Sequence, residues 1–416
     1  MGKRVLFITE SYGQNPSPNG NCVKIIADEL MKKNDYVSIL TLKNQIIKQD
    51  SIIDSVSVKR VNTYVEWRII FSDNIPKIVK RCGSKIIKIL KYVFIPMHPF
   101  RSPGVLRSLY KAGCEIIEEE QIDTIVGVYR DFETAYAGVL LKRRYPHIKL
   151  CIYTLDAISG GVCSNPLINQ KKHIKKCKKW EICFLKKCDV FCIMKSHASI
   201  FKDEKYVPFK NKIVELDIPN LCIPKDERRS NAANTDNIIR FIFTGMLSET
   251  NADCSFFLKV FKEILKITQA RFDIYGGVSE KTLGLLKNSG MYDKNVFFHG
   301  RVSQEELSAI RKNADVFLNF GNMHPCGIPC KIFEYIPMRK IIVSFYKIEN
   351  DASYDYLIRY PKAILLKEDY GCELEYAHKI LKFWKEKKDI DISLETIKKE
   401  FYNNTPSAFI NVIENL

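Results

Sequence analysis

The sequence contains no run of eighteen apolar residues, which is about the length that a membrane-spanning helix needs. It opens directly on the apolar segment VLFIT, from Val5 to Thr9, so we expect no signal peptide. Its fourteen cysteines are scattered through apolar segments, as Cys151, Cys183 and Cys192 are, without the spacing of a disulfide framework. This usage is typical of buried free thiols, and we expect a protein of the reducing cytoplasm.

Two cofactor signatures are missing as well. The sequence has no G-x-G-x-x-G, so a dinucleotide site of the dehydrogenase kind is not indicated. His324, Cys326 and Cys330 lie close together, but no second ligand pair follows at zinc-site spacing. No nucleophile for covalent catalysis is evident. We therefore expect neither a metal nor an organic cofactor.

Length and composition predict two globular domains. A chain of 416 residues with 46% hydrophobic and 27% charged residues exceeds one typical core. Its first half begins with a strand at 4–9, a helix at 23–33 and a strand at 36–41, and its second half begins with a strand at 238–244, as Rossmann-like units do. The polar stretch KDERRSNAANTDN suits a linker. We predict an N-terminal domain at 1–223, a linker at 224–237, a C-terminal domain at 238–385 and a C-terminal helical segment at 386–416.

The segment from Asn295 to Ser344 has the most informative pattern. It predicts a strand at 296–298, an amphipathic helix from Ser303, and strands at 314–320 and 341–344. Strands that alternate with helices form parallel sheets, and ligands of such sheets bind beyond the carboxyl ends of the strands.

The loop after Phe320 lies at such an end. Its residues Gly327-Ile328-Pro329 lead into a predicted helix that carries Lys331 and Glu334. Free N–H groups at the start of a helix can hold an anion, and the carboxylate of Glu334 suits two vicinal hydroxyls. The pattern therefore predicts a nucleotide-sugar site, although Glu334 by itself would be interpreted as a solvated helix carboxylate.

This block resembles the donor half of GT-B glycosyltransferases, especially glycosyltransferase family 4. The matching residues, in order, are Gly327, Pro329, Lys331, Phe333, Glu334, Tyr335 and Lys340. Cys326 stands where the first glutamate of the family's E-x7-E motif falls, and Arg339 and Ile341 stand in place of a glycine and a proline. The resemblance implies an α/β fold of two Rossmann-like domains that face a central cleft, with a C-terminal helix that crosses back to the first domain.

The resemblance also assigns donor residues. It implies that Glu334 binds the ribose hydroxyls and that Lys331 stabilises the leaving phosphate together with N–H groups of the loop. The donor residues of this block are Gly327, Ile328, Pro329, Lys331, Ile332 and Glu334.

Three further segments of the second half match the family in order and spacing. They are Phe243-Thr244-Gly245, Ile274-Tyr275-Gly276-Gly277 and Val296-Phe297-Phe298-His299-Gly300. By resemblance, Gly245, Tyr275, Gly276 and Gly300 belong to the donor site. One departure affects charge. Family members have an arginine and a lysine soon after Gly245, whereas this chain has no basic residue until Lys259.

The first half offers candidates for the acceptor side. Gly20 and Asn21 stand where the family has glycines that lie over the donor diphosphate and the acceptor, although glycine here also serves turn geometry. Asp156 follows the predicted strand 150–155 and matches a family position near the reacting sugar; a loop cap is the alternative. Arg130 follows the predicted strand 123–129 and could bind an acidic acceptor or form a plain surface ion pair.

A formal net charge of +17 indicates an anionic partner or surface. Much of the excess lies in PKIVKRCGSKIIKILKY, which places Lys77 to Lys91 at near-helical spacing, and in the lysine-rich stretch 171–187. Basic amphipathic helices are typical of proteins on anionic membranes, and a solvated helix face is the alternative. Nucleic acid is not expected, because these stretches lack aromatic interleaving and a known binding module.

Together these features predict a cytoplasmic, membrane-peripheral glycosyltransferase. The resemblance implies a metal-independent, retaining transfer from a nucleotide-diphosphate sugar to a lipid-linked glycan in bacterial surface polysaccharide synthesis, with Asp156 and Lys331 as catalytic residues. Two alternatives remain. One is a GT-B sugar-nucleotide 2-epimerase, and the other is a GT-B scaffold that is catalytically impaired by the loss of its diphosphate cations.

Overall fold

The chain folds into two compact units, and each is an α/β unit. The computed structural model describes residues 2–13, 17–43, 49–62, 95–161, 163, 167–221, 237–250, 252–321, 323 and 327–416. The first unit comprises Met1–Pro219 and Asn403–Leu416, and the second comprises Asn220–Tyr402. The predicted basic helix at 77–91 and nearly all of the predicted linker lie outside the described residues.

The first unit is built on a sheet with the strand order β3-β4-β2-β1-β5-β6-β7-β8. Its strands are parallel except for the β3–β4 pair. The strands are β1 (Arg4–Ile8), β2 (Tyr36–Leu42), β3 (Ser51–Ile53), β4 (Val56–Val61), β5 (Thr124–Tyr129), β6 (Lys149–Thr154), β7 (Val190–Met194) and β8 (Ile213–Leu216). The central strands are almost entirely buried because helices cover both faces of a parallel sheet.

Three of the four long helices described in the first unit begin after a side-chain N-cap, namely Ser17, Ser102 and Asn169. The four helices are α1 (Pro18–Lys32), α2 (Pro103–Glu120), α3 (Phe132–Arg144) and α4 (Gln170–Lys187), and short 3-10 helices follow at Lys195–Lys202 and Glu204–Lys212. The predicted start of α1 at Val23 is wrong. Ser17 accepts a hydrogen bond from Gly20 and Pro18 occupies the first helical position, so the helix starts five residues earlier.

The second unit contains a parallel sheet with the strand order β11-β10-β9-β12-β13-β14. Its strands are β9 (Ile239–Leu247), β10 (Ala270–Val278), β11 (Val296–Gly300), β12 (Val316–Phe320), β13 (Ile341–Tyr346) and β14 (Ala363–Lys367). Its helices are α5 (Ser255–Ile267), α6 (Glu280–Lys287), α7 (Gln304–Lys312), α8 (Ile332–Tyr335), α9 (Tyr354–Leu357), α10 (Glu373–Lys387) and α11 (Leu394–Glu400), and a 3-10 turn at Ile336–Met338 follows α8. The predicted α/β architecture of two Rossmann-like units is confirmed.

The end of the chain returns to the first unit, as expected. Helix α12 (Pro406–Glu414) belongs to that unit, and the Phe409 ring lies 4.6 Å from the Tyr153 ring of β6. Residues 386–402, which the sequence groups with this segment, remain in the second unit because α11 packs against the 3-10 turn after α8.

None of the eleven cysteines in the part of the chain that the structure describes is in a disulfide. Cys151 and Cys192, for example, are buried on adjacent strands with their sulfur atoms 3.6 Å apart. None of the described helices is long and apolar enough to cross a membrane.

Candidate donor and acceptor sites

Two glycines meet at the carboxyl ends of β9 and β10. Gly245 and Gly276 are paired in the parallel register, and both have a φ of +126°. A Cβ atom on Gly276 would lie 2.1 Å from the carbonyl oxygen of Gly245. Only glycine fits this combination of backbone conformation and close approach, so the two predicted donor glycines form a flat strand end without side chains.

Lys331 places a basic group against this strand end. Its Nζ atom lies 3.7 Å from the centroid of the Phe243 ring and 3.5 Å from the position that a Cβ of Gly245 would occupy. Burial lowers the pKa of the ammonium to about 7, and the nearby carboxylate of Glu334 opposes this shift. At neutral pH an approaching anion would therefore favour protonation of Lys331.

The short helix α8 is fixed to β9 by Tyr335. The buried hydroxyl of Tyr335 accepts a hydrogen bond from the backbone N–H of Thr244 at 2.9 Å and lies 3.0 Å from its side-chain oxygen. The Tyr335 ring stacks on Phe317 of β12 at 4.2 Å. Since Thr244 directly precedes Gly245, this contact fixes the position of Lys331 relative to the glycine strand end.

Glu334 is paired with a residue that sequence analysis did not identify. Its Oε2 atom accepts a hydrogen bond from Arg311, near the end of α7, and the two side chains are 33% and 14% exposed. Burial raises the pKa of the Glu334 carboxyl, whereas Arg311 and Lys331 both oppose that rise. Among the described residues, no hydrogen bond to Glu334 Oε1 is present, so that oxygen can accept from a ligand hydroxyl.

The anion site predicted at the start of this helix needs correction. Helix α8 has only four residues, and the N–H groups of Ile332, Phe333 and Glu334 donate to the carbonyls of Pro329, Cys330 and Lys331. These N–H groups are therefore used inside the turn, and one turn of helix has a small dipole. The segment that precedes Lys331 is half-buried at Gly327, Ile328 and Pro329. The next residue after Lys331, Ile332, is fully buried. Cys326 lies outside the described residues.

A stacked pair of rings lies at the edge of the same sheet. The Tyr275 ring stacks on His299 with centroids 4.5 Å apart and planes 10° apart. His299 Nε2 lies 2.6 Å from Oδ1 of the buried Asp273, which also binds Arg271 through two nitrogens. Burial raises the pKa of the Tyr275 hydroxyl. The structure thus brings together Tyr275, Gly276 and Gly300, which the resemblance assigns to the donor site, because Tyr275 pairs with Gly300 across β10 and β11.

In the first unit, a buried glutamate follows β1. Glu10 is 3% exposed and accepts hydrogen bonds from Thr9 at 3.1 Å and from the hydroxyl of Ser17. Arg130, which follows β5, approaches Glu10 Oε1 at 3.4 Å with a side chain that is 45% exposed. The ion pair considered from the sequence is therefore present, and the Arg130 side chain remains partly exposed.

Asp156 and the start of α1 lie side by side. The exposed Asp156 accepts a hydrogen bond from Asn19 Nδ2 at 3.3 Å. Asn21 is exposed in the same helical turn. Gly20 is buried, and its N–H donates to the Ser17 side chain at 3.1 Å, so this N–H caps the helix and is not available to a diphosphate. The structure thus brings Asp156 close to the predicted loop but gives Gly20 a capping role.

Sequence reasoning overlooked Glu10, Asn19 and Arg311. The position of Glu10 immediately after the first strand is the signal used for Asp156, and it could have been applied here. Asn19 was hidden by the misplaced start of α1. Arg311 has no local signal, because its partner lies 23 residues further along the chain.

Comparison with known proteins agrees with this arrangement. Residues 239–366, which lie within the second unit, match the family described as "Glycosyl transferases group 1". No curated protein is a significant match to the sequence.

Solved structures share the fold over the whole chain. A glycosyltransferase from Rickettsia africae ESF-5 has a TM-score of 0.62 at 13% identity, with 100% of this chain and 98% of that chain covered. HepE of Anabaena, solved in complex with UDP and glucose, has a TM-score of 0.57 at 11% identity, with 100% of both chains covered.

A third solved structure is WaaG, a glycosyltransferase involved in lipopolysaccharide biosynthesis. It has a TM-score of 0.53 at 11% identity, with 97% of this chain and 95% of that chain covered. Residues 239–366 thus match the group 1 glycosyltransferase family, and the chain as a whole shares the GT-B fold of these solved structures.

Proposed function

We propose that the protein transfers a sugar, with retention of configuration, from a nucleotide-diphosphate sugar to a glycan acceptor. The observation that carries this proposal is the ammonium group of Lys331 against the glycine strand end of β9 and β10. A diphosphate can approach backbone closely where no side chain protrudes, and a cation at that point stabilises the charge that develops as the sugar leaves.

In this mechanism each donor residue has a separate task. Glu334 accepts hydrogen bonds from the ribose hydroxyls through Oε1 while Arg311 holds Oε2. Tyr275 supplies a flat surface for the base. Lys331 becomes fully protonated as the diphosphate binds, so its charge is available for the leaving phosphate. The acceptor hydroxyl attacks from the face that the phosphate leaves, and its proton passes to the departing phosphate oxygen, so no enzymic nucleophile or metal takes part.

Asp156 and Arg130 are proposed to orient the acceptor. Both follow strands of the first unit and have exposed side chains, and among the described residues Asp156 contacts Asn19 and Arg130 contacts Glu10. A carboxylate beside an amide suits the hydroxyls of a sugar, whereas a guanidinium suits a phosphate or an acidic sugar. A lipid-linked glycan of bacterial surface polysaccharide synthesis has both kinds of group, and the fold shared with WaaG supports this choice.

We place the protein in the cytoplasm, on the anionic inner face of the cell membrane. Helix α4 supports this location with exposed lysines along its length, and an open groove of 530 Å³ lies between lysine stems. The residues that line the groove are Lys172, Lys175, Lys176, Lys179, Trp180 and Cys183.

Vesicle binding tests the membrane proposal. Changing Lys172, Lys175 and Lys179 to Gln should weaken binding to phosphatidylserine vesicles by about two orders of magnitude at low salt, since each lysine contributes about 1 kcal/mol. The same change at the exposed Lys287, Lys382 and Lys385 of the second unit is the control. Equal effects of the two triple variants would mean that α4 is not a docking face.

The departure at Met246 favours a second candidate, a GT-B scaffold without transfer activity. Met246 is 49% exposed and stands where the family has a diphosphate-binding arginine, so Lys331 must supply the positive charge alone. A thermal-shift screen of nucleotides, followed by transfer from the stabilising donor to lipid-linked glycan, separates the two functions. If a nucleotide stabilises the protein and the sugar is transferred with its anomeric configuration retained, the protein is the proposed enzyme. If a nucleotide stabilises the protein but no sugar is transferred, the scaffold is supported. If the sugar of the donor is changed when no acceptor is present, the protein is a 2-epimerase.

A further inference from the structure

Three metal-ligating side chains converge in the first unit, among residues that the proposed function does not use. The side-chain ligand atoms of His98, Cys163 and His173 all lie within 4.8 Å of one another. His98 Nε2 and His173 Nδ1 are only 2.8 Å apart. They come from three separate segments, and this is the one such group of His, Cys, Asp or Glu in the part of the chain that the structure describes.

The surrounding structure holds these segments in place. The side chain of Gln170, in the first turn of α4, accepts a hydrogen bond from the Cys163 N–H at 3.0 Å and donates to the Gly161 carbonyl at 2.9 Å. The loop that carries Cys163 is therefore tied to the helix that carries His173. His173 itself is buried on the first turns of that helix.

The segment that carries His98 is anchored to the same helix from the other side. Lys176 donates to the Pro96 carbonyl at 3.0 Å, and the Phe100 ring packs edge-on against Trp180 at 4.9 Å. The buried Glu133 accepts hydrogen bonds from the N–H groups of residues 101 and 102. The three ligand atoms are thus held together by contacts that do not depend on a metal.

The geometry points to a zinc ion bound by His98 Nε2, His173 Nδ1 and Cys163 Sγ. Zinc prefers nitrogen and sulfur ligands in a tetrahedron, which places the ligand atoms roughly 3.3–3.6 Å from one another. The two imidazole nitrogens need to separate by about half an ångström to accept the ion. A site of one thiolate and two imidazoles matches zinc better than magnesium or calcium, which take oxygen ligands.

The environment of the cluster also fits a metal ligand set. Cys177, one turn after His173, places its sulfur 3.6 Å from each of the two ring nitrogens of His173. The ring nitrogen opposite the metal can donate to this sulfur, which is how the orientation of ligating histidines is commonly fixed.

A simple hydrogen bond between His98 and His173 is the competing explanation. It accounts for the 2.8 Å distance but needs no thiol, whereas a zinc site requires Cys163. The role of Cys163 therefore decides between the two.

Metal analysis of the full-length protein tests the site. We expect about one zinc per chain after gel filtration of protein prepared without a histidine tag. Titration of the metal-free protein with Co²⁺ should produce the visible bands of a tetrahedral site together with a thiolate-to-metal charge-transfer band. Cys163→Ser should abolish the charge-transfer band, and His98→Asn should weaken Co²⁺ binding by at least about tenfold.

Two matched variants control for non-specific binding. Cys183→Ser changes a different partly buried thiol, which lies on α4, and His378→Asn changes an exposed histidine of the second unit. Both variants should bind metal like the parent protein. Circular dichroism confirms that each variant is folded. The proposal is overturned if the parent protein binds neither zinc nor Co²⁺, or if Cys163→Ser and His98→Asn bind as the controls do.

Discussion

The guanidinium of Arg311 on α7 holds one oxygen of the Glu334 carboxylate on α8. Burial raises the pKa of this partly buried carboxyl, and the guanidinium of Arg311 opposes that rise. It also leaves the other oxygen to a ligand. Helix α7, which lies outside the recognised motif, therefore orients the Glu334 carboxylate that is proposed to bind ribose hydroxyls.

Glu334→Ala should weaken binding of the nucleotide by roughly 2–4 kcal/mol, because two hydrogen bonds to a charged group are lost. Isothermal titration calorimetry with the stabilising nucleotide measures this loss. The matched variant Glu305→Ala removes an exposed carboxylate from α7 and should bind normally. Unchanged affinity in Glu334→Ala would contradict the ribose assignment.

Arg311→Gln should destabilise the protein increasingly as pH rises through the folded-state pKa of Glu334. The folded-state pKa of Glu334 is already raised, so stability falls between its unfolded pKa and that raised value. Without Arg311 the pKa rises further, and the unpaired carboxylate should cost about 1–2 kcal/mol at pH 7, after discounting for its partial exposure. Urea unfolding between pH 4 and pH 8 measures this trend. The double variant Arg311→Gln/Glu334→Gln should not show this pH trend, because it has no titrating carboxyl at position 334. If the loss of stability in Arg311→Gln is the same at every pH, the proposed interaction between Arg311 and Glu334 is contradicted.

Lys331 should make donor binding depend on pH. The pKa of the free enzyme's Lys331 is about 7, and a bound diphosphate raises it, so binding takes up a proton above pH 7. The affinity for a nucleotide-diphosphate sugar, whose diphosphate does not titrate near neutrality, should fall about tenfold per pH unit above pH 7. Lys331→Ala should remove this dependence and lower kcat more than it raises KM, whereas Lys287→Ala should leave both intact. The same pH dependence in Lys331→Ala would assign the proton to another group.

Asp156→Asn should impair transfer to the acceptor and leave donor binding intact, because the side chain lies in the first unit beside Asn19. We expect a loss of ten- to a hundredfold or more in kcat/KM for the acceptor, from general acid–base or orienting effects. Donor affinity by calorimetry is the internal control. Full activity of Asp156→Asn on a verified acceptor would show that Asp156 has only a structural role in its loop.

Gly276→Ala should destabilise the fold by at least about 2 kcal/mol, since the residue has a positive φ and a new Cβ would collide with the Gly245 carbonyl. Gly284→Ala is the matched control. It lies on α6 with nothing within 4 Å of the added atom, and it should stabilise the helix by up to about 1 kcal/mol. Chemical denaturation compares the two, and equal stability would contradict the close approach of β9 and β10.

The sequence by itself determined the class of fold and the order of the elements around the donor site. Ser303 and Glu306 form the expected start of α7 as a capping box. The apolar run before Gly321 forms the buried strand β12. These features follow from interactions between neighbours in the chain, so local patterns reveal them.

Predictions from local sequence patterns were wrong where two patterns that favour different structures fall on the same residues. The glycine and asparagine residues before α1 favoured a loop, but Ser17 and Pro18 start the helix there and use the Gly20 N–H for capping. Likewise, a motif that predicts a helix after Pro329 does not reveal that α8 ends after one turn and satisfies its own N–H groups.

Only the tertiary structure decided which side chains meet. Arg311 reaches Glu334, Lys331 reaches the glycine strand end, and His98 reaches His173 because packing brings distant segments of each unit together. Such contacts depend on the register of the sheets and on the position of each helix against them. No pattern in a single sequence encodes these distances, whereas the strands and helices that carry the residues are encoded locally by the spacing of apolar and capping residues.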